Sequence, residues 1–359
     1  MISLRRTAMF VFMITFSLLQ CAADETKPLF PGKEWKTASP ADVGLDENKL
    51  AEMPKFMDGC GCIVRRGLMV YAWGDPAARI DIASAVKPWY THFLMKALEN
   101  GKIKSLDDKI DAWEPRLNDL NPALDHKDRL ITWKHLANQI SCYGVKEKPG
   151  EAYDYSDFNM ALFFDALFLK VYGSSWEKVD EEVLHPLLTD LLQCQDNPTF
   201  MGFGDDRPGR MRISLRDLAR FGLLYLHKGN WNGKPLVDEK LAAMAIASPL
   251  PNSIPRTKGE SAEMIEGQRS IGGGNNQCDH AGSYSFAWWI NGVGREGKRH
   301  WPDAPTDAFG AFGHGGIRVC VIFPSQDSIV CWNEANIEGS EQENYAMRLL
   351  MESILPEKN

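Results

Sequence analysis

The sequence predicts an α+β fold: an antiparallel sheet flanked by helices and built from both ends of the chain, with a mainly helical domain inserted between them. Three observations predict it. Two β-type apolar runs stand close together at 60–73, β-type runs return at 284–333, and the stretch between carries mostly helical apolar spacing. Early strands, a helical middle and late strands with a final helix make one sheet only if the chain ends meet. Residues 24–101 and 280–359 are then the sheet domain, and 102–279 the insert.

Taken in order, Asp24 to about Pro40 is a polar arm. Cys60 to Arg65 and Leu68 to Trp73 flank Arg66-Gly67 and read as a hairpin, with glycine supplying positive φ at the turn. The segment around Ser84 opens an amphipathic helix that runs to about Asn100 and is closed by Gly101. Helical periods with capping residues follow after Thr132, over Asp157 to Tyr172, and over Ser214 to His227. His135 and His227 read as surface or core histidines, and the aromatic residues of these helices as packing.

Ser248 to Gly282 is rich in Pro, Gly, Ser and Asn and reads as loop of the kind that rims a cleft. Gly272-Gly273-Gly274 lacks the Lys-Ser/Thr and strand-to-helix context of a phosphate cradle. Strands are expected over Tyr284 to Ile290, Ala311 to Phe323 and Ser328 to Asn333, and a closing helix from about Glu341 to Leu355.

The chain has 359 residues and a formal net charge of −8, with 44% hydrophobic and 25% charged residues, an ordinary globular composition. An acidic chain without a basic run offers no face for nucleic-acid phosphates. Arg5 and Arg6, the apolar run Ala8 to Leu19 and the small residues Cys21-Ala22-Ala23 read as an export signal over residues 1–23. Its loss leaves 38 basic residues against 48 acidic ones. The run is short for a membrane span, and no later segment approaches one. Leu18-Leu19-Gln20-Cys21 loosely resembles a lipoprotein cleavage box, but Gln20 is the wrong size, so a periplasmic or secreted product is expected.

Export permits disulfides. Eight cysteines are present, and seven remain if Cys21 is removed, so at least one is unpaired within the chain. Cys320 and Cys331 lie symmetrically about Pro324-Ser325-Gln326-Asp327 and could pair across a hairpin. Cys60-Gly61-Cys62 has no ligand spacing for zinc, and buried free thiols account for most of the cysteines.

The chemistry concentrates in three short motifs. Ser84-Ala85-Val86-Lys87 sets a serine and a lysine three apart at a helix start, where i and i+3 share a face. An adjacent amine is one way to make an alcohol nucleophilic. Tyr155-Ser156-Asp157 ends a loop before a helix, and His314-Gly315-Gly316 precedes Ile317 and a strand. Together, and in this order, they resemble the Ser-x-x-Lys, Tyr-x-Asn and Lys/His-x-Gly motifs of the serine β-lactamase and penicillin-binding-protein superfamily. The branch they are most similar to is that of class C β-lactamases, D-aminopeptidases and esterases. Ser214 to Gly222, Trp231 to Lys234 and Trp288-Trp289-Ile290 extend the resemblance over about Lys33 to Leu355.

The resemblance implies that Ser84 attacks a carbonyl and forms an acyl-enzyme, with Lys87 and Tyr155 sharing the proton transfers. Which of the two is the base is open at this level. It implies an oxyanion hole from the backbone N–H groups of Ser84 and Ile317, and a substrate cleft lined by Asp157, His314, Gly315 and Gly316. No metal or cofactor is implied, and no His-x-x-x-His spacing suggests one.

Two departures bear on substrate. Asp157 stands where the resemblance expects asparagine; a carboxylate only accepts hydrogen bonds and adds charge. It favours a charged Lys87 and opposes a Tyr155 phenolate. Its alternative reading is a cap for the following helix. His314 in place of lysine weakens recognition of a substrate carboxylate. The expectation is an exported serine hydrolase acting on a small-molecule or peptide-like acyl substrate, an esterase or amidase first and a D-amino-acid peptidase or β-lactam hydrolase next. The alternative is a catalytically silent protein that binds a peptidoglycan fragment or a protein partner through the same cleft.

Overall fold

The computed structural model describes residues 28–202 and 207–356; the expected export signal lies outside them. Seven strands form one antiparallel sheet. They are β1 (Cys60–Arg65), β2 (Leu68–Trp73), β8 (Tyr284–Ser285), β9 (Trp288–Ile290), β10 (Phe309–Gly313), β11 (Arg318–Phe323) and β12 (Ser328–Asn333). Their order across the sheet is β2-β1-β12-β11-β10-β9-β8. The first hairpin therefore joins the last one through the β1–β12 pairing, with Cys62 opposite Cys331.

Alternation along each strand divides the sheet into two faces. Ile63, Val319, Val321, Val330 and Trp332 share one buried cluster with Met347 and Leu350 of α8 (Gly339–Ser353). Helices α1 (Glu47–Leu50) and α2 (Glu52–Met57) lie on the same side, against α8. Cys62, Val64, Cys320, Ile322 and Cys331 face the larger core instead. There α6 (Leu215–Leu226) covers β11 and β12. This helix belongs to the segment expected to be inserted, yet it packs on the sheet.

The centre of the larger core is α3 (Lys87–Glu99), buried on nearly every side from Lys87 to Met95. A helix apolar all round belongs inside. Trp89 stacks on Phe221 of α6 with centroids 4.1 Å apart, and truncating such a side chain typically costs about 3–5 kcal/mol. Around α3 stand α4 (Trp133–Ala137), α5 (Asp157–Phe164) and α7 (Glu239–Ala247). Helix α5 continues as a wider π-helical turn over Asp165–Val171. A small sheet of β3 (Ile80–Asp81), β5 (Pro208–Ile213) and β4 (Thr199–Gly202), in that order, lies at the start of the Ser84 segment. A two-stranded ribbon of β6 (Asn230–Trp231) and β7 (Lys234–Pro235) follows α6.

Three expectations need correction. Tyr284 to Ile290 is not one strand but the tight hairpin β8–β9, turned by Phe286 and Ala287 at φ 44° and 69°. Ala311 to Phe323 is likewise interrupted, because His314, Gly315 and Gly316 all take positive φ and reverse the chain. Cys320 and Cys331 do face each other in register, but all seven described cysteines are free thiols. The side chains of Cys62 and Cys320 both approach Cys331, making a row of three buried thiols across β1, β12 and β11.

Candidate active site

The Ser84 segment is positioned from both sides. Asp81, at the end of β3, accepts the Ala83 N–H on Oδ1 at 2.7 Å. That bond holds Ala83 at φ 46°, a left-handed conformation that costs an L-residue roughly 1–2 kcal/mol. The chain then passes through a single 3₁₀ turn, Ala83–Val86, into α3. Gly313 of β10 lies against this turn. A Cβ there would come within 2.4 Å of Ile82 O and 3.1 Å of Ser84 N, so only glycine lets strand and turn approach so closely.

Lys87 is at the first position of α3 and is 1% exposed. Its Nζ donates to Ser84 Oγ at 2.8 Å and to Asp157 Oδ1 at 2.8 Å. It also lies 4.4 Å from the centre of the Tyr155 ring. The Tyr155 hydroxyl lies near enough to the Ser84 side chain and the Trp289 indole for both to act on its titration. Alcohol, amine, phenol and carboxylate thus converge in one buried cluster. Burial pushes the Tyr155 phenol well above its ordinary value, Cys278 and Asp157 push the same way, and the neighbouring Ser84 and Trp289 side chains oppose them.

Asp157 is not the cap of α5. Ser156 is, accepting from the Phe158 and Asn159 N–H groups. The carboxylate is free to turn inward because the residue before it takes the capping role. The glycine-rich loop fastens this segment: Ile271 N–H donates to Asp157 O, Asp157 N–H to Gly274 O, and Gln277 N–H to Tyr155 O. Gly273 packs so close to Asp157 that a Cβ would come within 2.6 Å of Oδ2.

These elements enclose a cleft of about 750 Å³ lined by Ser84, Tyr155, Asp157, His314, Gly315 and Gly316, among others. These six residues are on its wall, and Lys87 is bonded to Ser84 and Asp157 behind it. Ile317 is not on the wall. Its N–H turns back to His314 O at 3.4 Å, because His314–Ile317 is the turn between β10 and β11 rather than the start of a strand. The backbone that actually faces Ser84 N is that of Gly313. Ile317 is therefore corrected as the second oxyanion donor.

Other wall residues carried no motif. Arg210 of β5 and Arg318 of β11 both approach Asp81. Arg318 Nη1 is 2.9 Å from Asp81 Oδ2 but off the hydrogen-bond direction. Trp289, His300, Trp301, Phe312 and Glu343 also line the cleft. Arg318 pairs across the strands with Gly313, a relation that only the structure reveals. Glu343 sits in a helix where an acid ordinarily faces water. Among the described residues, no group of three or more His, Cys, Asp or Glu side chains is arranged to hold a metal ion.

A beta-lactamase family model matches residues 61–332. The chain belongs to the beta-lactamase family. As a beta-lactamase family protein it has the serine β-lactamase and penicillin-binding-protein fold, and solved structures agree. A candidate β-lactamase from Bacteroides dorei superposes with a TM-score of 0.62 at 15% identity, over 86% of this chain and 99% of that one. A candidate 6-aminohexanoate-dimer hydrolase from Bacillus anthracis gives 0.61 at 14% identity, over 90% and 89%. A penicillin-binding-protein homologue from Caulobacter crescentus gives 0.56 at 13%, over 86% and 99%. At these identities the likeness concerns the fold alone. Comparison with curated protein sequences finds no match. No helix among the described residues of this beta-lactamase family member is long and apolar enough to cross a membrane.

Proposed function

We propose that the protein is a serine hydrolase that cleaves an ester or amide through an acyl-enzyme on Ser84. The observation that carries this reading is Lys87 Nζ, which bridges Ser84 Oγ and Asp157 Oδ1 at 2.8 Å each. Lys87 gives a proton to Asp157 and takes the Ser84 proton as the oxygen attacks the carbonyl carbon. The Ser84 N–H and the strand edge at Gly313 face the developing oxyanion. Tyr155, held as a neutral phenol by burial, protonates the departing alcohol or amine. Its proton is replaced through Lys87 from Asp157, so the cluster returns to its starting state. Water then repeats the sequence on the acyl-enzyme.

Asp157 and His314 both line the cleft where a substrate carboxylate would be recognised, which favours esters and amides without one. The Bacillus anthracis relative bears the name of an amide hydrolase, in keeping with this class. The leader read in residues 1–23 puts the activity outside the cytoplasm, and the N-terminal residue of the secreted protein tests that.

The test compares wild type and Ser84→Ala after treatment with a fluorophosphonate and with labelled penicillin, read by intact mass. A wild-type adduct with the first reagent, absent in Ser84→Ala, supports the proposal; absence of a penicillin adduct supports the esterase or amidase branch. No adduct on folded wild-type protein would instead favour a silent binding protein, a reading that the departure at Asp157 alone recommends.

A further inference from the structure

The aromatic wall of the cleft holds a carboxyl group that the proposed reaction does not use. Glu343, on α8, is only 7% exposed. Its Oε2 accepts the Trp301 Nε1–H at 3.0 Å. Its Oε1 takes no hydrogen bond from the described residues and lies against Gly316, where a Cβ would come within 2.8 Å of it. Trp301 stacks on Phe312 with centroids 4.9 Å apart, and His300 stacks on Trp289 at 5.8 Å. All five side chains line the same cleft as Ser84.

Among the described residues no cation pairs with this carboxyl group. Burial raises it to about 7, and only the bond from Trp301 opposes that rise. His300 is pushed down to about 4 by burial and is neutral at pH 7. The remaining charges nearby are engaged elsewhere: Lys87 with Asp157, Arg210 and Arg318 with Asp81, and Arg295 with Asp279.

We infer that Glu343, with the aromatic wall of Trp301 and Phe312, is a subsite for an ammonium group carried by the substrate. Glu343 Oε1 is not sealed from solvent, so a donor in the cleft can reach it, and a largely desolvated carboxylate gains from an opposite charge. An ammonium ion supplies both the missing donor and the opposite charge, and aromatic faces attract it further. A neutral hydroxyl supplies only the first. Gly313 beside Ser84 and Gly316 beside Glu343 are three residues apart, so their Cα atoms are at most roughly 11 Å apart. The ammonium group is therefore joined to the scissile carbonyl by a short chain. The inference rests on the reading of Ser84 as the acyl site and adds a specificity to it.

The test uses n-pentylammonium and 1-pentanol as probes, with binding followed by tryptophan fluorescence in wild type, Glu343→Gln and Ser84→Ala. Wild type and Ser84→Ala are expected to bind pentylammonium about tenfold or more tighter than pentanol, the range of a charge-assisted contact with an aromatic neighbour. Glu343→Gln is expected to keep pentanol binding and lose the preference. Equal binding of both probes by wild type overturns the inference whether or not the variant folds, as does a preference that survives in Glu343→Gln. Binding does not require catalysis. A labelled Ser84 without ammonium preference therefore counts against this subsite alone, and ammonium preference without labelling counts against the hydrolase reading alone.

Discussion

Lys87 Nζ and Asp157 Oδ1 stand 2.8 Å apart, with side-chain exposures of 1% and 11%. This ion pair occupies the position at which the chain departs from the asparagine of the motif it resembles, and it ties the nucleophile's neighbour to the second motif.

Asp157→Asn should therefore separate stability from reactivity. Removing one member of a buried pair strands the other, at a cost of up to about 3–5 kcal/mol. The amide also cannot take the Lys87 proton, so Ser84 labelling by a fluorophosphonate at pH 7 should fall by about 10²-fold, the scale of a lost proton acceptor. It should recover as pH rises and bulk base replaces Asp157. Urea unfolding and labelling rates between pH 6 and 10 check both parts; an unchanged rate at pH 7 removes Asp157 from the proton path.

Gly313→Ala should damage the site without touching a functional side chain. Its methyl group meets backbone, Ile82 O at 2.4 Å and Ser84 N at 3.1 Å, and backbone cannot rotate away. Overpacking of this kind costs roughly 1–3 kcal/mol, and the displaced turn moves Ser84 off Lys87. Loss of labelling with only that modest fall in unfolding free energy is the expected result.

Glu343 should make the protein less stable as pH rises. Its folded value of about 7 lies above the ordinary 4.5, so between those values the folded state holds a proton that the unfolded chain has released. Stability then falls with pH across that window, by about 3 kcal/mol in total. Asp154, raised to about 6 by burial, contributes a fall of the same sign over a lower window. Glu343→Gln should flatten the wild-type curve above pH 5 in urea titrations at successive pH values, and an unaltered curve would refute the assignment.

The row of Cys62, Cys331 and Cys320 should be chemically silent. Burial pushes the Cys331 thiol well up, and the thiolate is the reactive form. Cys60, at the start of β1, is pushed up to about 11. Ellman's reagent at pH 8 should leave these four thiols unmodified in the folded protein and titrate all of them after unfolding in guanidinium.

Much of this was legible in the sequence where a pattern had a local cause. Cys60 to Trp73 sets two apolar-rich runs around Arg66-Gly67, and the hairpin formed there. Ser84, Lys87, Tyr155 and His314 converge because each motif sits at the end of an element that the core fixes. The misreadings came where no residue announced the backbone. Phe286 and Ala287 turn a hairpin without glycine, and Ile317 reads as a strand start because the turn around it spans two glycines and a histidine at positive φ. Glu343 and Arg318 were hidden because their importance depends on what packs across from them, which no local window contains.

The β1–β12 pairing has a temporal consequence. Gly313 and the strands that hold it are made more than two hundred residues after Ser84, and the sheet's two halves close only over that separation. Such distant pairing is slow to form. A partly synthesised chain thus carries its serine with no strand beside it, and competence arrives only when nearly the whole polypeptide is present.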